Sequence, residues 1–301
     1  IMMKHLCYLA LFIFAHINVL AQIKGSIKDS ISGEPVPFVN IWVENTNLGT
    51  TSNEHGAFEL IIKGNKKPLV FSAVGYETKK VYIAEPINNV LLKPEITLME
   101  EVTVKPTRKR TVRISEKVKK IQINNYFVGS SYPYRVARYF AYDSAFNQTP
   151  FLGKLIILTN SEKDDAELNL IFFLPDKSGA PGSFLYDKPV RVILKKGTKK
   201  VEVDLSALQI TLPEEGIFIA VEWLIINKNR YTFEYTETTT QKKKVAVRYT
   251  PSIGSALKET NKNSWIYSMG AWRKMFETDN PLNKKNTGKY MELAMELWLV
   301  N

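Results

Sequence analysis

The sequence predicts an all-β chain folded as two consecutive β-sandwiches, a small one followed by a larger one. Three observations carry that prediction. Apolar residues recur at every second position in short runs, the period of a half-buried strand, and hold almost no convincing helical stripe. The runs are separated by turn residues, Asn-Glu-His-Gly at 53–56 and Lys-Lys-Gly-Thr at 195–198 among them. Such residues bond their own backbone or accept positive φ. Between residues 105 and 120 the strand pattern gives way to a basic stretch, which divides the chain.

Residues 1–21 are set apart from the fold. Lys4 and His5 precede an apolar run from Leu6 to Leu20, and Val19-Leu20-Ala21 offers a small-residue cleavage site before Gln22. The run is shorter than the roughly 20 apolar residues of a bilayer span, and its flanks are those of a secretory signal peptide. The expectation is export to the periplasm or the outer membrane. Cys7 lies inside the run without the small residues of a lipobox before it, so a processed chain would hold no cysteine and no disulfide. Processing would also remove His5 and His16, leaving His55.

From Gly25 to Leu92 strands and turns alternate. Val39, Ile41 and Val43 point to one face, and Phe38, Asn40 and Trp42 to the other. Asn53 to Gly56 then reverse the chain, and Phe58 plugs the core. These residues resemble the carboxypeptidase-like regulatory domain, a transthyretin-like sandwich common in the cell envelope of Bacteroidetes-type bacteria. The matching positions are Gly25-x-Ile27-x-Asp29, Gly33-Glu34-Pro35-Val36-Pro37, the Thr51-x-x-x-x-Gly56-x-Phe58 turn, and Val74-Gly75-Tyr76 after Leu69-Val70-Phe71. The resemblance covers residues 22–104, tail included, and implies a fold and an envelope address. It implies no peptidase activity, because in metallocarboxypeptidases this domain accompanies a separate zinc domain whose His and Glu ligands have no counterpart here. In TonB-dependent receptors a tail similar to Pro94–Val104 follows the same domain and leads into a plug and barrel. A barrel needs many strands of about ten residues with outward apolar faces. The pattern beyond residue 104 differs, so the expectation is the module without the receptor.

Residues 105–125 are expected to be a basic linker. KPTRKRTVRISEKVKK at 105–120 carries eight Lys or Arg against the single acid Glu116. Lys105, Arg108, Lys109, Arg110 and Arg113 could meet anionic lipid or a polyanionic polymer, each charge near a surface contributing about 1 kcal/mol. A solvated linker extended by self-repulsion is the preferred reading.

Residues 126–301 read as a jelly-roll-like second sandwich. Strands are expected at Arg135–Tyr142, Lys154–Leu158, Ala166–Leu174, Pro189–Leu194, Lys199–Leu205, Gly216–Ile226, Tyr231–Tyr235, Lys244–Tyr249 and Met291–Val300. Lys195–Thr198 and Gln241–Lys243 read as hairpin tips, with lysines that discourage edge pairing. Thr149–Leu152, Lys154–Asn160, Asp204–Ser206 and Leu212–Gly216 leading into Phe218–Leu224 resemble the C-terminal region of envelope proteins that begin with the same module. No reaction and no catalytic motif attaches to that resemblance.

Composition narrows the chemistry. The chain has 301 residues, and removing Lys4 with the leader leaves 40 basic against 30 acidic residues, a net +10. In an exported protein that charge points to anionic envelope surfaces rather than to nucleic acid. Without cysteine and with one histidine, neither a His-based triad nor a structural zinc site can be assembled, so no catalytic residue, metal or cofactor is expected. His55, Asp164-Asp165 and Glu214-Glu215 read as solvated turn residues. Calcium is the alternative for the acidic pairs, which lack EF-hand spacing. Glycoside hydrolysis by two carboxylates remains open, with Glu222 the best candidate because its own strand face is otherwise Phe218, Ala220, Leu224 and Ile226. Pairing with Arg191, Arg248 or Arg273 is the structural alternative. Trp265, Tyr267 and Trp272, between Asn261 and Lys274, form the best aromatic platform for a glycan, against a packing role for the same rings. The reading is an exported, non-enzymatic binding or structural module whose partner is an envelope protein or glycan.

Overall fold

The computed structural model of the protein describes residues 20–63, 67–83, 87–95, 110–120, 123, 125–276 and 287–301. Residues 1–19 of the expected leader and Lys105, Arg108 and Lys109 lie outside the described residues.

Seven strands build the first sandwich: β1 (Leu20–Asp29), β2 (Asn40–Val43), β3 (Gly49–Thr51), β4 (Ala57–Lys63), β5 (Leu69–Ser72), β6 (Lys79–Val81) and β7 (Asn89–Leu92). They form two sheets, ordered β4-β1-β7 and β3-β2-β5-β6. Alternation sends Ile23 and Ile27, Phe58, Leu60 and Ile62, and Val39, Ile41 and Val43 into one core. Full burial of each such side chain stabilises by about 1.5–3 kcal/mol. Gly56 sits at φ 71°, and a Cβ there would stand 2.5 Å from the carbonyl oxygen of Ile27, so only glycine closes this turn.

Two stretches of the resemblance motif meet. The Asp29 carboxylate accepts the backbone N–H groups of Ile31 and Ser32 at 2.7 and 2.9 Å, and Tyr76 Oη donates to its second oxygen at 3.1 Å. The two backbone donors hold the carboxyl below its ordinary 3.8. A depressed folded-state pKa gives a contribution that is present above the unfolded value and lost as pH falls through the folded one. Asp29→Asn should therefore unfold at lower urea than the parent at neutral pH, and the gap should close below about pH 4. A gap of constant size from neutral pH to acid would contradict this assignment.

Fifteen strands build the second sandwich. The sequence runs through β8 (Thr111–Arg113), β9 (Asn125–Gly129), β10 (Arg135–Phe140), β11 (Phe151–Ser161), β12 (Ala166–Pro175), β13 (Pro181–Phe184), β14 (Val190–Leu194) and β15 (Gly197–Asp204). It continues through β16 (Ile217–Trp223), β17 (Arg230–Thr236), β18 (Lys243–Lys258), β19 (Ser264–Ser268), β20 (Ala271–Lys274), β21 (Tyr290–Leu293) and β22 (Met295–Val300). One sheet is ordered β13-β12-β16-β10-β19-β20 with β14 on β12; the other is ordered β17-β18-β11-β22-β8 with β15 on β11 and β9 and β21 on β18. β11 and β12 are consecutive but lie in different sheets, as do β14 and β15, and the two pairs are hydrogen-bonded to each other. Such a folded double ribbon is a jelly-roll device. Lys195–Thr198 is therefore a corner between sheets rather than a hairpin tip. Leu155, Ile157, Leu168, Leu170, Ile219, Val221 and Trp223 fill the space between the sheets.

The segment expected as a solvated linker is, from Arg110 onward, part of this sandwich. β8 pairs with β22, Val112 opposite Leu299. Val118 is buried with Ile123, Leu158 and Ala294, and its N–H donates to Glu296 Oε1 at 2.7 Å. The spacing of Val112 and Ile114 suits a strand, and the free edge of β22 accepts it.

Candidate functional site

The two sandwiches dock through outer faces, and side-chain parity decides which residues meet there. In β16, Ile217, Ile219, Val221 and Trp223 belong to the sandwich's own core, which leaves Phe218, Ala220 and Glu222 facing outward. Val74 of the first sandwich packs into the outer cluster of Ala137, Ile171, Phe173, Phe218 and Ala220. Gly75 follows at φ 79°, where a Cβ would stand 2.5 Å from the Asp187 carbonyl oxygen, so the step that carries the family resemblance also permits this close approach.

Register then assembles a single row across six strands. Trp272 lies opposite Tyr267, Tyr267 opposite Arg135, Arg135 opposite Glu222, Glu222 opposite Asn169, and Asn169 opposite Arg191. The polar face of the first sandwich runs along this row. Phe38 sits under the Arg191 guanidinium at 5.4 Å, Asn40 Nδ2 donates to Glu222 Oε1 at 2.5 Å, and Trp42 meets Tyr267 edge-on at 6.4 Å.

Glu222 is the centre of the row and is 3% exposed. Arg135 Nε donates to its Oε1 at 2.6 Å, and Asn169 Nδ2 donates to its Oε2 at 3.0 Å. Arg135 in turn lies over the Tyr267 ring at 5.1 Å. The amide of Asn40 is used at both ends: its Oδ1 accepts from Thr51 Oγ1 at 3.1 Å, and Thr51 Oγ1 accepts the N–H of Ile225 at 3.0 Å. Burial raises the Tyr267 phenol above its ordinary 10.

This arrangement holds a charge pair in place. Both Glu222 oxygens are engaged by one guanidinium and two amides. Its ion-pair partner is Arg135, not the Arg191, Arg248 or Arg273 weighed from the sequence, because pairing register decides partners that strand patterning leaves open. Tyr267 and Trp272 are half-buried in the same row, and Trp265 packs in the neighbouring cluster beneath the Lys274 ammonium at 5.9 Å. The three rings that could make a sugar platform thus stand at the seam, on the hairpin β19–β20, whose turn uses Met269 and Gly270 at positive φ. Trp42, 6% exposed, is more enclosed than these three.

Two clefts flank the row. One, of about 390 Å³, is lined by Val36, Phe38, Val74, Tyr76, Asn169 and Glu222. The other, of about 1170 Å³, is lined by Phe38, Thr51, Glu59, Glu167, Lys228 and Arg230 among others. Among the described residues no three His, Cys, Asp or Glu gather as a metal-binding group. His55 is exposed beside Glu54, Asp165 pairs with Lys195, and Asp164 accepts the Lys196 N–H. Of the basic run, Arg110 reaches Gln148 and Arg113 lies over the Trp298 ring at 5.7 Å.

Residues 23–104 match the model of the CarboxypepD_reg-like domain. This part of the chain is similar to CarboxypepD_reg-like domains. The chain is 36% identical over 106 residues to the TonB-dependent receptor SusC of Bacteroides thetaiotaomicron, which is 34% of this chain and 10% of the receptor. It is 30% identical over 94 residues to a TonB-dependent receptor of Formosa agariphila, 31% of this chain and 9% of that receptor. The matched part therefore spans about a tenth of either relative. Asn40, Trp42 and Val74 bring this matched part of the chain against the second sandwich.

Sequence reasoning singled out Glu222, Tyr267 and Trp272 but missed Asn40, Thr51, Asn169 and Arg135 as their partners. Asn169 carried a signal like that of Glu222, a polar residue in a largely apolar strand, although Glu167 shares its strand and face.

Proposed function

We propose that the protein is an exported, non-enzymatic component of a bacterial cell envelope that works as a binding or structural module. The observation that carries this reading is the row itself. The best catalytic candidate of the chain, Glu222, is hydrogen-bonded to both sandwiches, which supports a joining role over a catalytic one. The match to the CarboxypepD_reg-like domain and the likeness to a part of TonB-dependent receptors support the envelope address, and the apolar run from Leu6 to Leu20 supports export. A partner is an envelope protein or glycan, and Arg110 and Arg113 add positive charge for an anionic surface.

Fractionation of cells expressing the full chain, followed by pull-down from the envelope fraction, tests the reading. The expected result is a processed protein in the periplasmic or outer-membrane fraction that captures a defined envelope component. An unprocessed, cytoplasmic protein would overturn it.

A further inference from the structure

We propose that the β17–β18 ribbon is a docking arm for a linear polysaccharide bearing carboxylates. From Arg230 to Tyr249 not one residue is buried, although the segment is regular strand on both sides of its turn. Lys243 to Arg248 of β18 pair only with β17, so the ribbon extends beyond the sandwich as two strands. Two strands alone are marginally stable in water, and buried Asn229 and Thr250 tie their base, with Thr250 N–H donating to the Asn229 carbonyl at 2.9 Å.

One face of this ribbon is aromatic and cationic. Tyr231, Phe233 and Tyr235 follow one another at ring-centroid spacings of 6.3 and 5.9 Å, each ring tilted 38° to the next. Opposite them stand Arg248, Ala246 and Lys244. The Arg248 guanidinium lies 4.4 Å from the centre of the Phe233 ring and makes no ion pair among the described residues. Over residues 230–249 five Lys or Arg face two Glu, a local excess of positive charge. Solvent-facing rings of this size are not ordinary surface composition, and Tyr and Arg are the residues that dominate binding patches.

The chemistry of the face selects its occupant. A file of rings stacks against successive flat-faced units of a linear polymer, and the apolar C–H face of a pyranose is one such unit. The Arg248 guanidinium beside the rings matches a sugar carboxylate, and Lys242 and Lys243 add positive charge at the tip, whereas Lys244 is paired with Glu237. Lys242, Lys243 and Lys244 at the tip discourage pairing with a strand of another protein. Bases would also stack on such a file; the choice of a polysaccharide rests on the exported reading above.

The test uses the purified full chain and three probes: polygalacturonate, neutral amylose and an oligothymidylate, measured by titration calorimetry. Polygalacturonate is expected to bind in preference to the other two. Phe233→Ala/Tyr235→Ala removes two rings and no charge, and should weaken that binding about tenfold or more. Arg248→Gln is the second variant and should weaken it while leaving the unfolding midpoint unchanged. Unaltered affinity in either variant, no binding of polygalacturonate, or preference for oligothymidylate would overturn the proposal. Fractionation reads the export assignment separately, so a failure of one is distinguishable from a failure of the other.

Discussion

Glu222→Ala is expected to destabilise the protein by about 3–5 kcal/mol, the cost of leaving one member of a buried ion pair without its partner. Arg135 is 4% exposed, so its guanidinium cannot turn to water when the carboxylate is removed. Asn40 and Asn169 would lose their acceptor at the same time. Because Arg135→Leu leaves the opposite charge stranded, the two single losses should not add. The double variant Arg135→Leu/Glu222→Ala should fall short of their sum by more than about 1 kcal/mol. Denaturant midpoints of the four proteins measure this. Full additivity would mean that the pair is not coupled, and the description of the row would then be wrong.

The second large effect is expected at Trp223. It is fully enclosed, stacks on Tyr134 at 4.5 Å with the planes 8° apart, and donates from Nε1 to the Pro251 carbonyl at 2.7 Å. Trp223→Ala should cost about 3–5 kcal/mol through the cavity it leaves. Trp223→Phe keeps a ring on Tyr134 but leaves the Pro251 oxygen without its donor, and should cost about 1–3 kcal/mol. Equal losses would assign the stability to the hydrogen bond rather than to packing.

What could be read from sequence, and what could not, divides along a physical line. All nine stretches expected as strands in the second half are strand, the last of them divided into β21 and β22. Most carry an alternating or continuous apolar run that a sheet buries, whereas β17 and β18 up to Tyr249 are strand without burial. The faces of β2 were also legible: Ile41 and Val43 turn into the core, and Asn40 and Trp42 turn out. What covers the outer face was not legible, since a half-polar face reads as solvated whether it meets water or a neighbouring domain. For Trp265, Tyr267 and Trp272 the sequence leaves both a glycan platform and a packing role open, because exposure of aromatic rings is a property of the assembled domains. The strand at Thr111–Arg113 was hidden by its charge: arginine side chains point outward from an edge strand without breaking its backbone pairing. Pairing register, which joins residues as far apart in sequence as Arg135, Glu222 and Tyr267, lies beyond any local pattern.

The orientation of the first sandwich has a consequence for its valency. Its β3-β2-β5-β6 side uses Asn40, Trp42 and Val74 on an intramolecular neighbour, so these side chains are closed to a third body. On the opposite sheet Ile61 and Leu91 are 53% and 48% exposed. The apolar surface that this module still offers a partner therefore lies on β4 and β7, away from the residues that hold it to the second sandwich.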